Sequence, residues 1–289
     1  MNRLALGPRS VAVLALATIA GLIMFLWPLL LRVEPGTTRV DPPFIMLALL
    51  PIIVLAVLAE LTENGMDSKA LAMLGVLTAV NAALRTLGAG TAGIELVFFL
   101  LVLAGRVFGP GFGYVLGCTS IFASALLTSG VGPWLPFQML ASAWIGLGAG
   151  LLPDRIAGRP VRGRAEIAML SVYGVVCAYG FGLLMNMSSW PFLAGVELTY
   201  HEGSLSFVPN APLLDNLHRF VVYTLLTSTA GWDTGRAITN VLAIVLLGPA
   251  LLMTLRRAAR RARWRAPVPQ EGSRPSRSAH SSSGVRSNG

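Results

Sequence analysis

Charge is scarce in this chain. Asp, Glu, Lys and Arg make up only 12% of its 289 residues, hydrophobic residues make up 54%, and the mean hydropathy is +0.69. Soluble domains carry roughly a quarter charged residues, so the composition argues against a water-soluble protein. Cysteine is almost absent too. Cys118 and Cys177 both fall in apolar stretches, which leaves no disulfide or zinc framework to read. Nucleotide and hydrolase signatures are missing: no Walker-type phosphate loop, no Gly-x-Ser-x-Gly elbow and no His-Glu-x-x-His helix occurs. A chain without its own nucleotide site cannot drive transport by ATP alone. No apolar span carries a carboxylate near its middle, which argues against a gradient-driven carrier.

What is present is a series of apolar runs of about 18 residues or more, the length a helix needs to cross roughly 30 Å of hydrocarbon. The expected fold is an all-α polytopic membrane protein with about eight transmembrane helices. The first is expected over residues 10–31, between Arg9 and the anchors Trp27 and Arg32. Its run lacks a small-residue cleavage site and reads as a retained helix rather than a signal peptide. The second covers 43–60, and a short polar loop with an Asn64-Gly65 turn follows. The third covers 70–87, the fourth 94–105 and the fifth about 110–129, with Pro110 in its first turn. The sixth lies in 130–152, the seventh in 165–187 and the eighth in 236–255. This divides the chain into a two-helix extension (1–68), a six-helix core (69–256) and a basic Ser/Pro/Arg tail (257–289) that cannot bury a core and is expected to be disordered.

The net charge of +9 would suggest nucleic acid in a soluble chain. Here the arginines cluster at Arg155, Arg159, Arg162 and Arg164 and again from Arg256 to Arg265, so topology is the simpler cause and no nucleic-acid partner is expected. Both clusters should face the cytoplasm, and an even number of crossings must separate them. The seventh and eighth helices meet that condition. Residues 188–235 then form a long outer loop in which 213–229 is interfacial or re-entrant, and both termini are cytoplasmic.

Polar residues collect at the outer ends of the spans. Arg85 ends the third helix, Glu95 starts the fourth, and Trp134 and Gln138 open the sixth. Asn186 and Trp190 close the seventh, while Trp232, Asp233, Arg236 and Asn240 lead into the eighth. Such convergence is what a pocket for a partly polar solute requires. The plainer reading is that Arg85 pairs with Glu95 and the tryptophans form an interfacial belt. Interfacial snorkelling does not account for the short amides of Gln138 and Asn240 inside spans, and Gln138 is the best single candidate for a solute contact. Two small-residue ladders stand out. Gly75, Ala79 and Ala83 let another helix approach, most simply one from the same chain, and Gly105, Gly109, Gly113 and Gly117 read as close packing around a turn at Pro110.

The small-residue helix, the Gly-Arg-Val-Phe-Gly-Pro-Gly-Phe-Gly connection (105–113) and Gly-Pro-Trp-Leu-Pro-Phe-Gln-Met (132–139) before a glycine-rich helix resemble the substrate-binding S component of energy-coupling factor (ECF) vitamin transporters. The resemblance covers about two thirds of the chain, closest over 69–152. It implies a six-helix core that binds a vitamin or cofactor precursor from outside, through loops corresponding to 86–94, 129–133 and 188–235. The Gly-Pro-Trp…Gln-Met segment looks most like S components assigned to cobalamin-type ligands. It further implies that Gly75, Ala79 and Ala83 dock on a transmembrane T component coupled to two cytoplasmic ATPase subunits. The loaded S component would topple in the membrane to release solute. The chain itself would then carry no catalytic residue, cofactor or metal. The two leading helices have no place in the family pattern. The alternative is a membrane-embedded enzyme of lipid or envelope metabolism using outer-face Glu95, His201, Glu202 and Asp233.

Overall fold

A computed structural model of the protein describes residues 7–30, 45–63, 68–88, 93–194 and 203–263. Among the described residues the protein is all-α apart from one two-stranded hairpin. The helices are α1 (Pro8–Phe25), α2 (Trp27–Leu30), α3 (Ile45–Glu63), α4 (Ser68–Gly88), α5 (Val97–Phe108), α6 (Pro110–Leu127), α7 (Leu135–Leu151), α8 (Arg164–Leu193), α9 (Leu213–Thr224) and α10 (Thr234–Arg263). Large apolar side chains cover the outside: Leu16, Leu55, Val76, Leu126, Val172 and Leu246 are all more than half exposed. A water-soluble fold would not leave such surface uncovered. The chain is a multi-pass, membrane-embedded helical protein. Among the described residues five helical stretches are long and apolar enough to cross a bilayer, and three shorter apolar helices, Leu49–Thr62, Val97–Phe108 and Leu135–Leu151, accompany them.

The centre of the bundle is α5, α6 and α7. Every residue of α5 is buried, so it is surrounded by protein rather than lipid. Pro110 opens α6 at its first turn, where a missing N–H costs nothing. Gly109 precedes it with φ 108 and ψ 174, a conformation only glycine adopts readily. The expected glycine ladder is resolved as packing inside the chain. A Cβ at Gly105 or Gly113 would meet the backbone of Gly146, one at Gly117 would meet Ser142 and Ala143, and one at Gly150 would meet Pro110. Backbones touch there because no side chains stand between them.

The two leading helices are joined to the core rather than separate from it. Trp144 Nε1 donates to Thr18 Oγ1 at 3.2 Å, Phe25 meets Phe137 edge-on at 4.9 Å, and Trp27 Nε1 donates to the Ser188 carbonyl at 3.0 Å. Ser10 donates to Glu60, both fully buried, which ties α1 to α3.

The long outer loop expected over 188–235 is largely helix. Helix α8 continues through Pro191 to Leu193, and α9 leads through a π-helical segment, Leu225–Asp233, directly into α10. The stretch Leu213–Arg260 spans 48 residues, about 72 Å at 1.5 Å per residue, more than twice the hydrocarbon thickness. Helix α9, the π-helical segment and α10 follow one another without a break. The two faces of α9 are mixed: Asn216, Arg219, Phe220, Tyr223 and Thr224 are buried, while Leu213, Leu214, Asp215, His218 and Val221 are exposed. Helix α10 also runs to Arg263, so the first residues of the expected tail are helical; the rest of it lies outside the described residues.

Candidate functional site

The polar residues divide between two ends of the bundle. Helix α5 has Glu95 just before its start and Arg106 in its last turn, and α7 runs from Gln138 in its first turn to Leu151. Arg106 donates to the Leu152 and Pro153 carbonyls at 2.9 and 3.2 Å, so the exit of α7 and of α5 share one end. Gln138, Glu95, Arg236 and Asn240 stand at the other.

At that second end the structure does not pair Arg85 with Glu95 by an ion pair. Arg85 Nη2 donates to Gln138 Oε1 at 2.7 Å, and Nη1 donates to Ser124 Oγ at 2.7 Å. Gln138 is thus the neutral acceptor that holds Arg85 between α4, α6 and α7. Below it runs a polar ladder joining α4 to α6, with Asn81 Nδ2 donating to Ser120 Oγ at 3.0 Å and Thr78 hydrogen-bonded to Thr119 at 2.8 Å. Sequence reasoning missed these residues, although 78, 81 and 85 share one face of α4 at helical spacing.

Glu95 instead meets Arg236, whose Nε donates to Glu95 Oε2 at 2.6 Å. Arg236 Nη1 also donates to Asp233 Oδ1 at 2.8 Å, and the guanidinium carbon lies 5.6 and 5.0 Å from the ring centres of Phe98 and Phe181. Two carboxylates and two aromatic faces hold this one cation, which is largely removed from solvent. Asp233 ends the π-helical segment and accepts a second hydrogen bond from Ser228 at 2.9 Å. Gly182 on α8 leaves the space its carboxylate fills. Wide π turns are frequent at functional sites. Asn240 Nδ2 donates to the carbonyls of Glu95 and Arg236 at 3.1 and 2.8 Å. Gly93, at φ 80, comes against the backbone of Trp232 and Arg236 and closes the α4–α5 connection onto α10. Glu95 also lies close enough to attract Arg85 through space, so the two clusters form one charge-balanced face: Arg85 and Arg236 against Glu95 and Asp233.

Three buried amide atoms on this side have no hydrogen-bond partner among the described residues: Asn81 Oδ1, Asn240 Oδ1 and Asn186 Nδ2. Buried polar atoms are nearly always satisfied, so these are the atoms a hydrogen-bonding solute or water would engage. The face offers donors, acceptors and balanced charge with aromatic walls, which suits recognition of a partly polar organic molecule. The tryptophans behave differently. Trp190 is fully buried, donates to the Leu205 carbonyl at 2.8 Å and packs on Phe207 and Phe220. It anchors residues 203–220 to α8. Trp134 and Trp232 are 52% and 45% exposed, as an interfacial belt requires. His201 and Glu202 lie outside the described residues. Glu95 and Asp233, the other acids of the enzyme reading, are both tied to Arg236. Among the described residues no cluster of His, Cys, Asp or Glu could hold a metal.

The arginine-rich end carries a separate network. Glu166 Oε1 accepts from Arg106 Nε at 2.8 Å and from Arg256 Nη2 at 2.6 Å, while Oε2 accepts from Arg256 Nη2 at 2.7 Å. It joins α5, α8 and α10 at the arginine-rich end. An apolar groove of about 820 Å³ between α8 and α10 lies beside it. A polar pocket of about 530 Å³ adjoins the same residues. Neither is lined by the residues singled out for solute binding. No family model, curated protein or solved structure matches the chain.

Proposed function

We propose that the chain is the solute-capturing S component of an ECF-type importer. It binds a vitamin or cofactor precursor, of cobalamin type in the narrowest form of the reading, on the face carrying Arg85, Gln138, Glu95, Arg236 and Asn240. It then delivers the solute inward with a T component and two ATPase subunits. In this reading there are eight spans, with α9 and the π segment extending the last one outward. The arginine-rich end and both termini are cytoplasmic.

The observation that carries the proposal is the small-residue stripe of α4. Gly75, Ala79 and Ala83 are all exposed, and a Cβ added at Gly75 would meet nothing within 4 Å. The opposite face of the same helix buries Leu74, Leu77, Asn81 and Ala82. The stripe therefore does not serve packing within the described chain, unlike the glycines of α6 and α7, which are buried against one another. An exposed small-residue stripe beside Val76 and Val80 is suited to close approach by a helix of another subunit. Arg85 and Asn81 sit on the inward side of the same helix, so partner docking and solute contact are carried by opposite faces of one element.

Ala79→Leu with Ala83→Leu tests this. The two added side chains enter open space, so folding and solute retention should match the wild type while co-purification with the T component and ATPase subunits is lost. Co-purification at the wild-type level would remove the docking assignment.

A further inference from the structure

The arginine-rich end holds a cavity pair unused by solute capture. The apolar groove between α8 and α10 is lined by Ile167, Ala168, Val172, Val241, Val245 and Leu252. Along α10 it runs from Val241 to Arg256, about 22 Å of helix at 1.5 Å per residue. That exceeds the roughly 15 Å depth of one hydrocarbon leaflet. At its end the groove reaches Glu166 and Arg256, which also line the polar pocket. That pocket contains five arginines (Arg106, Arg155, Arg162, Arg256, Arg260) and two acids (Asp154, Glu166), an excess of three positive charges by subtraction.

The distribution of that excess matters. Arg106 and Arg256 both pair with Glu166 at 2.8 and 2.6 Å and Arg106 also with Asp154 at 3.2 Å, so the two acids balance these two arginines. Arg155, Arg162 and Arg260 are exposed and have no carboxylate partner among the described residues. Arg155 is presented by the hairpin Arg155–Ile156/Arg159–Pro160, whose turn residues Ala157 and Gly158 both have positive φ. This is the pattern of a tight two-residue hairpin. Arg162 follows the hairpin, and Arg260 comes from α10. A second atom points to an amphiphile. Ser171 Oγ lines the apolar groove, is buried and lacks a hydrogen-bond partner. It lies one and a half turns from Glu166, about 7.5 Å along α8, where the ester carbonyls of a lipid would sit below a phosphate at the arginines.

We propose that this composite site binds an anionic diacyl phospholipid of the surrounding leaflet. The phosphate is held by Arg155, Arg162 and Arg260, an ester carbonyl by Ser171, and one acyl chain lies in the α8–α10 groove. Basic pockets between transmembrane helices are suited to such headgroups. A headgroup there bridges the 155–162 loop, which precedes α8, to α10. The proposal stands independently of solute capture.

The test is native mass spectrometry and thermal unfolding of the full chain in detergent, with added phosphatidylglycerol, phosphatidylcholine or inorganic phosphate. One retained phosphatidylglycerol per chain and a rise in Tm are expected, with no such effect from phosphatidylcholine or phosphate. Arg155→Gln/Arg162→Gln/Arg260→Gln changes only exposed side chains and should lower retention at least tenfold. Val245→Trp should lower it comparably by filling the groove with the arginines intact. Equal retention of the two lipids, or undiminished retention by the triple variant, means a non-specific lipid shell and overturns the proposal. A full effect from inorganic phosphate, or wild-type retention by Val245→Trp, means an anion site without a lipid and also overturns it.

Discussion

Replacing Glu166 with alanine removes the buried carboxylate that pairs with both Arg106 and Arg256 at the junction of α5, α8 and α10. The Glu166 and Arg106 side chains are each 2% exposed, whereas that of Arg256 is 28% exposed. At an effective dielectric near 20, each close pair gains on the order of 4 kcal/mol of attraction. Desolvation offsets much of that gain, so the intact network adds little net stability. The variant is different, because it leaves Arg106 charged, buried and without its main partner. Breaking a buried pair in this way costs about 3–5 kcal/mol. Arg256 can turn to water, and Arg106 keeps the Leu152 and Pro153 carbonyls and Asp154 at 3.2 Å. The lower part of the range therefore applies. At about 2–4 °C per kcal/mol for a chain of this size, Tm should fall by roughly 6–12 °C. The assay is thermal unfolding in detergent followed by intrinsic tryptophan fluorescence. Asp154→Asn is the comparison. Asp154 is 65% exposed, and an exposed pair is worth about 0–1 kcal/mol, so its Tm should drop by no more than a few degrees. A Glu166→Ala protein that melts within about 2 °C of wild type would refute the view that this network locks the arginine-rich end.

Other expectations follow from the same contacts. Gln138→Leu deprives Arg85 of a buried acceptor and should cost about 1–3 kcal/mol, visible as a lower Tm; Gln138→Glu keeps an acceptor and should recover most of it. Gly146→Ala places a methyl against the Gly113 backbone and should destabilise by about 1–3 kcal/mol or more. Gly75→Ala meets open space and should be neutral or stabilising by up to about 1 kcal/mol in the same melt. Ala79→Leu/Ala83→Leu should leave Tm unchanged and abolish pull-down of the T component.

Helix positions were legible in the sequence wherever glycine or proline punctuated an apolar run. Pro110 opens α6, Gly163 precedes α8, and the Gly105–Gly117 ladder is backbone packing, as expected from its spacing. The segment from 188 to 235 was not legible. Hydropathy does not show which face of α9 packs inward, and Asn216 and Arg219 are buried there beside Phe220 and Tyr223. The seventh helix, expected to end at 187, runs on to Leu193, and Pro191 falls in its last turn, where only one earlier carbonyl loses its partner. The candidate site was legible as a set of residues but not as a set of pairs. Arg85 and Glu95 are the nearest charges in sequence, yet each is bonded to a residue from another helix, Gln138 and Arg236. Those partners are fixed by helix packing, which a linear pattern does not encode. The outward face of Gly75, Ala79 and Ala83 was undecidable for the same reason.

The central claim is most directly tested by transport. The protein, reconstituted into vesicles with a T component and two ATPase subunits, is exposed to an equimolar mixture of vitamins, and the lumen is analysed by mass spectrometry with and without ATP. Solute capture and delivery predicts ATP-dependent accumulation of one vitamin, reduced at least tenfold by Arg236→Gln. Lumenal vitamin no higher than in protein-free vesicles would contradict it.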